Sequence, residues 1–391
     1  MSSSASKIPF DPTDISHLVA VFRTKYEHEK AQIGHFNLAI FGKTGVGKST
    51  LVNAIFGLDL ARTGIGRPIT LDTQYYEGHD GHLGVFDTRG IEVGENEKSI
   101  IDGLLKYLGK TATVPIEQQI HVAWYCIRAT DLRFEETEEH FITALAETGI
   151  PVILVFTQVP MRNGRIHPKV AEFQAYLASR ILPVSKRIPF LTMAVADEFN
   201  DYPKHGLHEL LDETFRVAPE GVRRALAVTQ QIDLKRKRDA ARKFIAGAAA
   251  AATAAGATPI PFSDAAILAP IQIGMMAKIA ATYGISLNKA ALGTVGAVAA
   301  ATVGGRSAVA GLFRLIPGVG TIIGGVITAG VAGTFTTAMG QAWLRVCEQV
   351  LAGKSSGELS EIDPEVLKAL FKQELKLTKS ETKQITASAA E

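Results

Sequence analysis

Cysteine is almost missing from this sequence: Cys126 and Cys347 are its two copies in 391 residues. That excludes a disulfide framework and a cysteine-based zinc site, and fits a reducing compartment. An excess of one charge is missing too. Lysine plus arginine number 41 against 39 for aspartate plus glutamate, a formal net charge of +2. No global field is there to recruit nucleic acid, and no nucleic-acid motif stands out. Hydrophobic residues at 47% and charged residues at 20% exclude a largely disordered chain. The first 30 residues hold no apolar core of a secretory signal, so the expected setting is the cytoplasm.

Polarity is distributed unevenly, and its pattern divides the chain into five pieces. In residues 1–34, Ile15, Leu18, Val19, Phe22 and Tyr26 recur at helical spacing. They predict an amphipathic helix whose apolar face docks on a neighbouring domain. Residues 35–218 alternate apolar runs (36–41, 71–76, 83–86, 120–127, 151–156, 190–195) with helix-like stretches, predicting an α/β domain with a mostly parallel sheet. Residues 219–243 are rich in lysine and arginine and read as a basic helical linker, suited to solvent or to a membrane surface. Residues 244–352 are dominated by alanine and glycine and read as a hydrophobic helical domain. Residues 353–391 form a polar tail, with a short helix starting at Asp363-Pro364 and a frayed end.

The informative motif is Gly42, Lys43, Thr44, Gly45, Val46, Gly47, Lys48 and Ser49, a full match to G-x-x-x-x-G-K-[ST]. An apolar strand precedes it, and a helix follows from Thr50. The glycines let a loop wrap phosphates with its own N–H groups, and the helix N-terminus adds a positive dipole end. Lys48 is expected on the β- and γ-phosphates, Ser49 on Mg²⁺, and Thr50 among the nucleotide contacts. About forty residues later a short strand ends in Asp87-Thr88-Arg89-Gly90. Asp87 is expected to hold Mg²⁺ and the Gly90 N–H to meet the γ-phosphate; the plainer reading is a capped turn. Between the two lies the glycine-rich segment 63–70, expected to be a mobile switch in which Thr70 reaches Mg²⁺ when the γ-phosphate is present. Thr63 and Thr73 are the alternatives.

These motifs resemble those of the translation-factor class of small GTPases, most of all Era-like and immunity-related GTPases, whose switch often reads G-x-G-R-P-x-T. The resemblance covers residues 35–218. It implies a Ras-like P-loop fold, GTP and GDP as ligands, Mg²⁺, and hydrolysis of GTP to GDP and phosphate. It also implies pairing of two G domains across their nucleotide sites.

Two positions depart from that pattern. Where the family carries [NT]-K-x-D to read guanine, this chain has Thr157, Gln158, Val159 and Pro160. The aspartate that accepts from guanine is gone, which leaves GTP against ATP open. Thr157 and Gln158 remain the base-side candidates, with residues 192–196 as a loose match to the last base-side loop. Where Ras-type enzymes place the glutamine that orients water, this chain has Ile91, so turnover is expected to be slow. Gly45 stands where potassium-activated relatives carry asparagine. Arg67 lies three residues before Thr70, the spacing at which heterotrimeric G-protein α subunits place an arginine finger, and is a candidate to neutralise γ-phosphate charge; the plainer reading is a surface arginine before Pro68.

Other conspicuous residues read plainly. His79, His82 and His140 have no metal-ligand spacing, Glu135, Glu136, Glu138 and Glu139 suggest an exposed helix start, and Trp124 and Tyr125 belong to a core strand. In the apolar region, 315–344 is uncharged and longer than the roughly 20 residues that span a bilayer. Two arrangements satisfy it: helices that enter or span the membrane, or a soluble bundle with a partner-binding face. The segments Pro-Ile-Pro-Phe-Ser-Asp-Ala-Ala (259–266), Tyr283-Gly284-Ile285-Ser286 and 315–320 resemble a helical domain of unknown function found behind Era-like GTPases and in YcjF-like inner-membrane proteins. That resemblance implies a bacterial protein at the inner face of the cytoplasmic membrane, with membrane lipid or a membrane protein as partner.

Overall fold

A computed structural model of the chain describes residues 15–57, 67–70, 73–78, 81–88, 115–256, 264–285 and 329–355, with helical positions 369 and 373. It divides into two units, one of residues 33–233 and one formed by the described residues before 33 and after 233.

The first unit is built on β1 (Phe36–Phe41), β2 (Arg67–Thr70), β3 (Thr73–Glu77), β4 (Leu83–Thr88), β5 (Val122–Arg128), β6 (Val152–Thr157) and β9 (Phe190–Leu191), ordered β2-β3-β4-β1-β5-β6-β9 in one sheet. β4, β1, β5, β6 and β9 run parallel, and β2 and β3 add an antiparallel edge. A separate ribbon pairs β7 (Met161–Arg162) with β8 (Arg165–Ile166). Every residue of β1 and β6 is buried, which is why these strands, apart from Asn37 and the terminal Thr157, read as apolar runs rather than alternating ones. One face is covered by α3 (Glu136–Glu147) through Phe141, Ile142 and Leu145, and by α4 (Pro168–Ser179) through Val170, Phe173 and Leu177. On the other, Trp124 stacks on Phe56 of α2 (Lys48–Phe56) at 6.0 Å and donates to Thr214 Oγ1 of α5 (Leu207–Val217) at 3.1 Å.

Three sequence expectations change here. Residues 67–70, outside the apolar runs that predict strands, form strand β2, paired to β3. The run 190–195 contributes only two paired residues, because the chain then doubles back through bridges between Met193 and His205 and between Asp197 and Tyr202. The start of α3 is not a uniformly exposed acidic patch. Glu138 is buried, and Glu135 and Glu138 form a capping box, each side chain bonded to the other's backbone N–H.

The second unit packs α1 (Ile15–Ala31), α7 (Leu234–Gly256), α8 (Asp264–Thr282) and α9 (Ala329–Ser355) around one apolar core. Leu18 and Phe22 of α1 are fully buried in it. The basic stretch does not stand as one linker. Residues 219–233, with α6 (Arg223–Thr229), lie in the first unit, and the lysines and arginines from 235 on open α7, which continues through the alanine-rich stretch. Glycine lets these helices touch: a Cβ at Gly340 would come within 2.7 Å of Ile245 Cγ1 and 2.9 Å of Met275 Sδ. Polar bonds fix the register. Trp343 Nε1 donates to the Met276 carbonyl at 2.9 Å, and Arg238 pairs with Glu348 at 2.8 Å. Among the described residues no helix is long and apolar enough to cross a membrane. Residues 286–328, with the first half of the uncharged run, and the helix expected at Asp363-Pro364 lie outside the described residues.

Candidate functional site

The phosphate loop runs from the end of β1 into α2, and its shape depends on glycine at two positions. Gly42 has φ 131°, and a Cβ there would sit 2.1 Å from the Cys126 carbonyl oxygen of β5. Gly47 precedes α2 with φ 97°, in the left-handed region open to residues without a Cβ. The loop therefore lies against β5 and delivers the free N–H groups of the α2 N-terminus to its concave side. Lys48 is 8% exposed, and its ammonium donates to the carbonyls of Gly42 at 2.8 Å and Lys43 at 3.1 Å. These two bonds hold the loop closed and position the charge at its rim. Ser49 and Thr50 follow in the first turn of α2.

Asp87 is brought to the same end of the sheet, since β4 pairs with β1 in the register Ile40 to Asp87. Its Oδ1 is buried and has no hydrogen-bond partner among the described residues. Burial pushes the Asp87 carboxyl above the ordinary carboxylate range, and the charge of Lys48 opposes that shift. A buried carboxylate oxygen without a donor is costly and fits a site that a divalent cation completes.

Thr157 and Gln158 close the loop from the β6 side. Thr157 is buried, and its hydroxyl donates to the Val46 carbonyl at 2.5 Å, so it braces the loop. Gln158 takes φ 53°, and its amide lies 3.3 Å from where a Gly47 Cβ would be. The chain then turns away at Val159 and Pro160 into the β7–β8 ribbon.

The switch candidates are less closely grouped. Thr70 pairs with Thr73, and Thr73 with Thr88, in the row just past Asp87, so the Thr70 backbone lies at the loop's level, three strands from β1. Arg67 pairs with Tyr75, and Tyr75 with Phe86, in the row of Ala39; its backbone is set back from the loop at the sheet edge. Thr63, Arg89, Gly90 and Ile91 lie outside the described residues.

Two features of the site were not expected. Arg128, the last residue of β5, donates to the Gly45 carbonyl, placing a guanidinium on the loop. The sequence shows only a cation ending an apolar strand; the pairing of that strand with β1 comes from the structure. Lys43 turns its side chain away to ion pairs with Glu135 at 3.0 Å and Glu138 at 3.3 Å, and Glu138 also accepts from the Tyr125 hydroxyl at 3.1 Å. Burial alone would lower the Lys43 pKa; the hydrogen bond to Glu135 and the charge of Glu138 outweigh it and raise it. Between loop and network lies a cavity of about 330 Å³ bounded by Lys43, Val46, Arg128 and Arg133. Cys126 borders it, but burial pushes that thiol up to about 12, which makes it inert as a nucleophile.

A glycine-rich loop between the first parallel strand and its helix, a lysine folded over it and an aspartate on the adjacent strand are the marks of a P-loop GTPase fold. Residues 37–158 match the family described as "50S ribosome-binding GTPase", and residues 222–373 match a domain of unknown function, DUF697. Two separate parts of this chain are thus similar to a small GTPase domain and to a DUF697 helical domain. Over 135 residues it is 29% identical to Magnetosome membrane protein 22 of Magnetospirillum gryphiswaldense, covering 33% of this chain and 66% of that protein. Over 201 residues it is 27% identical to GTPase Der of Cereibacter sphaeroides, covering 49% of this chain and 38% of that protein. The chain thus matches under two thirds of the length of either relative. Among solved structures, a single-residue variant of Era from Aquifex aeolicus bound to GDP.AlF4- matches with 18% identity and a TM-score of 0.33, over 48% of this chain and 58% of that one.

Proposed function

We propose that this protein is a Mg²⁺-dependent GTP-binding protein that hydrolyses GTP slowly, and that its nucleotide state controls a membrane-proximal helical unit. The observation that carries the reading is the formed phosphate loop with Lys48 bonded across it and the unpartnered Asp87 oxygen beside it. In this reading the N–H groups of residues 42–50 and the Lys48 ammonium hold the β- and γ-phosphates. Ser49 and Asp87 would hold Mg²⁺, joined by Thr70 when β2 leaves the sheet edge, and the ion would neutralise phosphate charge. Gly90 meets the γ-phosphate and closes the second switch. Ile91 offers no group to orient water, so turnover of the isolated protein is slow; Arg67, or a second copy of the chain pairing across the G domain, supplies what is missing. The name of the magnetosome relative supports the membrane part of the reading.

A second reading, relaxed base choice with little hydrolysis as a nucleotide-dependent scaffold or membrane-remodelling protein, draws on one observation. The Thr157 hydroxyl is spent on Val46, and the next residues offer no carboxylate to guanine. Calorimetry of the full chain with GTP, GDP and ATP, each with Mg²⁺, separates the two. Selective binding of GTP and GDP, lost in Lys48→Ala, supports the GTPase reading. Equal or tighter ATP binding replaces it with the second, and no binding by a folded chain removes both.

A further inference from the structure

The helical unit carries a groove that its own packing does not explain. It is about 580 Å³, within the range of small-molecule sites, and runs where α1, α7 and α8 meet. Its walls are Phe244, Gly247 and Ala248 from α7, and Pro270, Ile271 and Gly274 from α8. Two of these are glycines inside helices, where glycine weakens the helix. Elsewhere in this unit a helical glycine is explained by contact, as Gly340 is by Ile245 and Met275. Gly247 and Gly274 differ: a Cβ at either would meet nothing within 4 Å among the described residues. What the missing side chains leave there is room in the groove.

The rim of this apolar groove is cationic. Lys25 of α1, Lys243 of α7 and Lys278 of α8 stand around it, with His28 beside Lys25, against one carboxylate, Glu29. Lys278 is held in place, 3.5 Å from Glu29 and over the Phe244 ring at 5.6 Å. Lys25 and Lys243 enter no ion pair among the described residues. An apolar trough under a lysine rim is complementary to an amphiphile with an anionic head.

We propose that this groove holds one acyl chain of an anionic phospholipid, with the phosphate on Lys25, Lys243 and Lys278. This rests on the membrane-proximal reading above and gives it a site. Phospholipid is favoured over an apolar protein segment because three cations ring a trough too small for a folded partner, and their charges match a phosphate.

The test is sedimentation of the full chain with vesicles of phosphatidylcholine alone and with one third phosphatidylglycerol, followed by titration with short-chain phosphatidylglycerol and with glycerol phosphate. The proposal expects several-fold more binding to the anionic vesicles and saturable binding of the short-chain lipid but not of glycerol phosphate. Gly247→Leu and Gly274→Leu, which fill the trough, should each lower short-chain lipid binding at least tenfold with the helical circular dichroism unchanged. Lys243→Gln, a rim change outside the packed core, should lower it severalfold. Unchanged lipid binding in the folded leucine variants overturns the groove and leaves the membrane reading standing on surface charge alone. Wild-type binding to anionic vesicles with none to the short-chain lipid overturns it in the same way, the groove then being covered by other residues of the chain. No binding to any vesicle overturns the groove and the membrane reading together.

Discussion

At the scale of single residues the backbone shape of the phosphate loop is legible, because its glycines are written at fixed spacing within eight consecutive positions. Each glycine of Gly42-x-x-Gly45-x-Gly47 takes a positive φ, a requirement that other side chains meet only with strain. Arg128 was not legible, because its place on Gly45 depends on which strand lies beside β1, and sequence spacing does not carry that. Arg67 tests the two scales against each other. Its spacing from Thr70 fits an arginine finger, yet strand pairing sets its backbone three strands from β1 and back from the loop. A finger role therefore requires β2 to leave the sheet edge when GTP binds. If it does, Arg67→Ala should slow single-turnover hydrolysis by roughly 10³-fold, the scale typical of such arginines, with GTP affinity nearly unchanged. An unchanged rate in that assay assigns Arg67 to the edge strand alone.

At the scale of elements, the strands with apolar runs fell close to where the sequence placed them, since burial on both faces leaves little freedom in composition. The misses have physical causes. β2 contains Pro68 and follows glycines, so its propensity is poor, and only pairing with β3 makes it a strand. The α3 carboxylates read as exposed because a helix start favours acid residues in any case, and the cation that pairs with Glu138 is Lys43, far off in sequence. Helix α5 is anchored by a similar feature, the buried Glu213 with Arg216 at 2.6 Å and Lys186 at 3.6 Å. The hydrogen bond from Arg216 dominates, and it holds the Glu213 carboxyl at about 2, below its ordinary 4.5. A depressed carboxyl contributes stability that is full above pH 4.5 and is lost as pH falls toward 2. Thermal unfolding followed across that window should show a decline in the first unit's stability that Glu213→Gln flattens; parallel profiles for the two proteins would place the acid sensitivity elsewhere.

At the scale of the whole molecule, composition separated an α/β region from an apolar helical one, but not the path of the chain between them. Residues 15–31 join the helical unit although about two hundred residues separate them from α7, a long-range pairing that local periodicity does not encode. Residues 219–233 stay with the first unit, and their last turn is tied to the helix that carries the phosphate loop. The Gln231 N–H donates to the Ile55 carbonyl of α2 at 2.8 Å, and its side chain lies against Gly57. Gln230 is fully buried, accepts from the Asp233 N–H at 2.7 Å and donates to the Asp233 carbonyl at 3.1 Å. A shift of α2 on nucleotide exchange would thus reach the residue before α7 through these few bonds. If this connection transmits the nucleotide state, limited proteolysis across 229–236 should differ between the protein bound to GDP and to a non-hydrolysable GTP analogue. Gln230→Ala should erase that difference while leaving nucleotide affinity within about twofold, because it removes the clasp at Asp233 and touches no phosphate contact. The two lost hydrogen bonds, each worth about 1 kcal/mol, should appear as a lower denaturation midpoint. Equal cleavage of the wild-type protein in both nucleotide states would mean that the two units share a chain without sharing a switch.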